Sequence, residues 1–237
     1  MKKTLKNTLL ILVFLTFSIS TVLLAYLHFF ASEDRKLSGE WNTDLDMTEQ
    51  AAVTAFHWLQ DIEAVSVTLE DVESYMQDLT VQVHLTLEET ARFEGTFCSN
   101  VLPESYVVCS KAAYEAFAMA FRDLLSERLR MAGYAGSMDK EAIEALVYET
   151  FGMSTVEYLM SCGPALLPSL EELQVCYDGS GTYEAAEGIL ARQFDAGGDV
   201  IEKTECYIRQ GSMLILSEDF GFHSPLIYTL EMDGELE

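Results

Sequence analysis

Basic residues are scarce in this chain, 14 Lys and Arg against 39 Asp and Glu over 237 residues. Lys2, Lys3 and Lys6 all precede the first acid, Glu33, so the remaining 11 bases face all 39 acids and residues 32–237 carry a formal charge of −28. A field of that sign repels phosphate backbones and anionic lipid surfaces, and it excludes nucleic acid as a partner. Proline stops at 4 and glycine at 14, while 49% of the residues are apolar. Collagenous and disordered chains are thereby excluded, and the length suffices for a sizeable core.

Catalytic and metal signatures are also missing. The cysteines at 98, 109, 162, 176 and 206 form no C-x-x-C pair and no zinc spacing. Cys98 and Cys109 flank a short loop, and Cys176 and Cys206 lie in strand-like runs, so each pair is a candidate disulfide in an oxidising exterior; the plainer reading makes most of them small buried apolar residues. His28 sits in an apolar run, and His57, His84 and His223 show no ligand spacing. There is no G-x-S-x-G, H-E-x-x-H, phosphate loop or dinucleotide fingerprint. Ser137-Met138-Asp139-Lys140 has the S-x-x-K spacing of serine β-lactamases, but its companion motifs are absent and it reads as a helix cap. Asp44 with Asp46, and the acidic turn at 195–199, fall short of a calcium ligand set. No catalytic residue, metal ligand or cofactor is expected, and the chain reads as non-enzymatic.

What is present begins with a run that carries no charge from residue 7 to residue 32. Residues 8–31 are long enough to cross a hydrocarbon core, which needs about 20 residues, and too long for a secretory apolar region of about 7 to 15. Cutting after Ala31 would leave bulky Phe29 three positions back, and Tyr26 stands where a lipoprotein needs Cys. Residues 1–7 therefore read as a cytoplasmic basic end, 8–31 as a single-pass transmembrane helix and 32–38 as a linker. Lys2, Lys3 and Lys6 keep the N-terminus inside, which puts residues 39–237 outside the cell. Tyr26, His28, Phe29 and Phe30 suit the outer interface.

Beyond the linker, the spacing predicts a strand over 39–47, with Trp41, Leu45 and Met47 on one face. A helix capped by Thr48 follows, then a second short one capped by Thr68 over about 69–77. Leu79, Val81, Val83, Leu85 and Leu87 alternate with polar residues, a strand with one dry face. A turn at Glu89-Thr90 would place Phe93 and Phe97 together on the next strand, making a hairpin. Residues 106–131 repeat at helical spacing, Ser137 opens a helix ending at Gly152, and Ser154 with Glu157 forms a capping box. Strand signals then return at about 172–177, 181–186, 189–194, 200–209, 212–217 and 226–232, with Glu187-Gly188 and Gln210-Gly211 at hairpin positions. The fold class is α+β: an antiparallel barrel or curled meander, closed by its two distant end strands and interrupted by a helical insertion over about 105–163.

Certain short motifs carry a resemblance. Gly39-Glu40-Trp41 matches the G-x-W of lipocalin-like barrels, whose tryptophan plugs the closed end. Phe93-Glu94-Gly95-Thr96-Phe97 and Gly179-Ser180-Gly181-Thr182-Tyr183 look like G-T-Y/F strands, and Gly211-Ser212-Met213-Leu214-Ile215-Leu216 like a G-x-x-L-x-L strand. Over about residues 37–232 the chain resembles membrane-anchored lipocalin-like (calycin-type small β-barrel) domains of Gram-positive anaerobes. The resemblance implies an arginine stacked on Trp41; none stands near the final strand, and Arg209 is a distant candidate.

Two roles follow as expectations. In one, the barrel interior, lined by Trp41, Val81, Val83, Leu85, Phe93, Phe97 and Tyr183, holds a small apolar ligand; in its plain counterpart those side chains only fill the barrel. In the other, the acidic helical insertion is a platform for an envelope protein. An extracellular hydrolase is a third reading with no motif behind it.

Overall fold

The computed structural model describes residues 17–21, 36–61, 67–91, 93–196, 199–219, 221 and 224–231. Residues 17–21 are helical; the rest of the expected membrane run, residues 8–16 and 22–31, lies outside the described residues. Among the described residues no helix is long and apolar enough to cross a membrane.

Eight strands form a closed antiparallel barrel in simple sequential order. They are β1 (Gly39–Asp46), β2 (Thr80–Ala91), β3 (Glu94–Val101), β4 (Gly179–Ala186), β5 (Ile189–Ala196), β6 (Asp199–Gln210), β7 (Met213–Ser217) and β8 (Leu226–Leu230). Closure comes from β1 against β8, with Trp41 opposite Leu230 and Asn42 opposite Thr229. The alternation in β2 does what its period demands: Val81, Val83, Leu85 and Leu87 are buried, while His84 lies on the outer face bonded to Asn42 Oδ1 at 2.8 Å and Thr86 Oγ1 at 3.1 Å.

Helices α1 (Thr48–Gln60) and α2 (Leu69–Glu73) join β1 to β2. Between β3 and β4 come α3 (Pro103–Met131), α4 (Lys140–Phe151), α5 (Thr155–Cys162) and α6 (Leu170–Tyr177). They close one end of the barrel: Leu45, Val81, Val83 and Val101 share a core with Ala51 and Leu59 of α1, Phe117 and Phe121 of α3 and Leu173 of α6. A second core occupies the opposite end, where the chain enters, and gathers Leu37, Trp41, Leu85, Leu87, Phe97, Tyr183, Leu190, Leu214 and Tyr228.

Capping chemistry sets most helix starts. Thr68 with Asp71, Ser154 with Glu157 and Ser169 with Glu172 are reciprocal capping boxes. The third overturns an expected strand, because Leu173, Val175 and Tyr177 alternate as strand residues would, yet Ser169 and Glu172 satisfy the free N–H groups of a helix over the same residues. The insertion therefore runs from Pro103 to Tyr177, longer than expected. Other expected caps shift by a residue or two: Asp139 caps α4 in place of Ser137, whose hydroxyl donates to Asp139 Oδ2 at 2.6 Å. Met47 precedes α1, and Thr48 turns its Oγ1 to accept from Leu79 N at 3.2 Å.

The first hairpin differs as well. A bulge between Glu89 and Ala91 carries β2 onward, so Phe93 falls in the turn at φ 69° and is only half-buried; it does not join Phe97 inside. Gly95 is required by contact, since a Cβ there would lie 2.0 Å from Glu88 O and 2.6 Å from the Tyr183 ring. The expected Glu187-Gly188 turn forms with both residues at positive φ, 51° and 83°, whereas the next loop is Gly211-Ser212, one residue later than expected. All five cysteines are free: Cys109 and Cys206 are buried, but Cys98, Cys162 and Cys176 are exposed, which corrects the expectation that most lie inside.

Candidate functional site

The barrel axis is filled from the entry end inward. Trp41 is fully buried, its Nε1 donates to Leu37 O at 2.9 Å, and the Arg209 guanidinium carbon stands 5.3 Å from the centre of its ring. Arg209 is far from β1 in sequence but on β6 it points inward across the barrel, and Trp41 and Arg209 together form a plug in which the cation faces the ring's negative face.

Above the plug the interior turns polar. Arg192 of β5 and Glu205 of β6 form an ion pair, Nη2 to Oε2 at 2.5 Å and Nε to Oε2 at 2.8 Å, with side chains 8% and 3% exposed. The guanidinium lies 5.3 Å from the Phe97 ring centre and 5.4 Å from that of Phe194, and the two rings meet edge to face at 4.9 Å. Lys203 Nζ reaches Glu205 Oε1 at 3.4 Å and Glu218 Oε1 at 2.9 Å, so a chain of alternating charge leads from the interior to the surface. Burial holds the Tyr228 hydroxyl well above its ordinary range, and burial pushes Tyr183 up to about 12, so both stay protonated at neutral pH. Each ionised group named here is engaged by an opposite charge or a ring, and this arrangement suits packing better than proton transfer.

Of the residues expected to line a ligand cup, Trp41, Leu85, Phe97 and Tyr183 come together at the entry end. Val81 and Val83 belong instead to the core shared with the helices, and Phe93 is in the hairpin turn. Sequence reading missed Arg192, Lys203 and Glu205, whereas Arg209, named there only as a distant candidate, does stand over Trp41. The signal was ambiguous: β6 offers two interleaved rows of mixed polarity, Ile201 falling in the row of Lys203, Glu205 and Arg209 and Ile208 in the other, and both isoleucines are left exposed, at 58% and 41%.

Hollows occur outside the barrel interior. One of about 330 Å³ lies on the outer face of β3–β6 beside Glu94, Thr182, Glu184, Gln193 and Glu202. One of about 220 Å³ separates α3 from α1 and α2, near Leu59, Val72, Tyr75 and Asp123. The roomiest of these, about 580 Å³, opens between α3 and α4 over Arg122, Ala145 and Tyr148. Beneath it, Glu144 ties three helices together: Oε2 accepts from Arg122 Nη1 at 2.6 Å and Thr155 Oγ1 at 2.7 Å, and Oε1 from Thr155 N at 2.9 Å. Burial pushes the Glu144 carboxyl up, but the Thr155 and Arg122 contacts outweigh it and hold it below the usual carboxylate range. Among the described residues no group of three or more His, Cys, Asp or Glu is placed to hold a metal ion.

No family model, no curated protein and no solved structure matches this chain.

Proposed function

We propose that this chain is a membrane-tethered, non-enzymatic lipocalin-like domain whose barrel is a packed scaffold and whose helical insertion is a recognition surface for an envelope protein. The observation that carries the reading is the Arg192–Glu205 pair packed against Phe97 and Phe194, which takes up interior space a small apolar ligand would need. An apolar guest there would strand two buried charges, at a cost of several kcal/mol. Direction supports it too: the chain enters the barrel beside Leu37 and Trp41, and the helices cap the opposite end, so a tether at residues 8–31 leaves the insertion facing away from the bilayer. Large exposed apolar side chains are frequent on the insertion, among them Val107, Val108, Tyr148, Phe151, Met160 and Val175.

Native mass spectrometry of the intact chain released from detergent, with crosslinking in membranes, tests the reading. A bare protein mass together with crosslinks from the insertion to one envelope protein is the expected result. A retained apolar molecule that disappears on Leu85→Trp would restore the ligand cup and remove the platform.

A further inference from the structure

Resting on the platform reading, we propose that the cleft between α3 and α4 docks a basic amphipathic segment of the partner protein, an apolar side chain seated over Ala145 and Tyr148 and cations paired with Glu141 and Glu149. Positions 141, 145, 148 and 149 recur at helical spacing and form one face of α4. The opposite face is spent on the core through Ile143 and Val147, each 1% exposed. Tyr148 is nevertheless 61% exposed, and Phe151, one turn on, is 46% exposed although it stacks on Tyr158 at 4.4 Å. A tyrosine left in water at the edge of a hollow of about 580 Å³, with a charged rim, has the layout of an unfilled interface core.

Charge selects the occupant. Arg122 is neutralised by Glu144 at 2.6 Å, so it offers no free cation to an acidic ligand. Glu141 and Glu149 are exposed and outnumber Lys140 around the floor. A second copy of the chain would bring its own charge of −28 over residues 32–237 against the first, and self-repulsion disfavours it. A segment with apolar residues on one side and Lys or Arg on the other meets both features of the cleft.

The test is calorimetric titration of the full chain in detergent with a synthetic helical peptide of Leu and Lys, apolar at helical spacing, beside its Leu and Glu counterpart. The Lys peptide binds and the Glu peptide does not. Tyr148→Ser and Ala145→Arg each weaken binding at least about tenfold. The double change E141K with E149K does the same, whereas the double change E184K with E202K on the outer barrel face, an equal step in charge, leaves affinity within about twofold. Far-UV circular dichroism of each variant separates lost docking from lost fold. No binding, equal loss with E184K and E202K together, equal binding of both peptides, or dimers in sedimentation that depend on Tyr148 would each overturn the proposal. Crosslinks to an envelope protein from α5 or α6 alone would then leave the platform standing without this cleft; no crosslink from any helix of the insertion would remove both.

Discussion

Glu205→Gln probes the barrel interior most directly. The substitution keeps the shape of the side chain but removes the charge that faces Arg192 at 2.5 Å in a site where the two side chains are 8% and 3% exposed. Opening a buried pair from one side costs about 3–5 kcal/mol, because the other charge stays in a poor solvent. Here the guanidinium keeps the faces of Phe97 and Phe194 and Lys203 keeps Glu218, so the lower end applies, about 3 kcal/mol. With a urea slope of about 2 kcal/mol/M, the unfolding midpoint falls by roughly 1.5 M, followed by the emission of Trp41 and Trp58. Replacing both partners by Leu is expected to end within about 1 kcal/mol of the parent chain, since no charge is then stranded. Ile208→Lys, on the outward row, is expected to cost less than about 0.5 kcal/mol. The reverse ranking, a costly Ile208→Lys and a harmless Glu205→Gln, would mean that β6 faces the other way and that the charged interior is wrong.

Three further outcomes follow from the same packing. Gly95→Ala places a Cβ 2.0 Å from Glu88 O and against the Tyr183 ring, and it is expected to destabilise by about 1–3 kcal/mol, read as a lowered thermal midpoint. Ser169→Ala removes the cap of α6 and is expected to cost about 1 kcal/mol, with faster amide exchange over residues 170–177; no change there would favour the strand expected from alternation. Glu144 has a folded-state value below its unfolded one, so its contribution is fully present above the ordinary glutamate range and is lost as pH falls through the folded value. The stability gap between the parent chain and Glu144→Gln, measured by denaturation from pH 7 downward, should therefore hold at neutral pH and shrink only in acid below the ordinary carboxylate range; a gap that widens in acid would reverse the assignment.

Some of this protein was determined by local chemistry and was legible in the chain itself. Alternation from Leu79 to Leu87 decided β2 and its inward face, because a strand's side chains have no other period. Capping at Thr68 and Ser154 decided two helix starts, since those bonds close within three residues. The inward face of Trp41 was legible from its place with Leu45 and Met47 in the alternation over residues 39–47, and all three are buried. Other features belong to the tertiary structure. Whether Lys203, Glu205, Tyr207 and Arg209 or Thr204, Cys206 and Ile208 of the other row face inward depends on the register that the hairpins impose on β6, and a step of one residue exchanges the two rows. Arg209 met Trp41, and Arg192 met Glu205, only because the barrel closed. Phe93 left the interior when a single bulge lengthened β2. Local rules reach as far as their hydrogen bonds do, about one turn or one hairpin; which side chains share the barrel axis is decided by closure, which joins β1 to β8 across most of the chain.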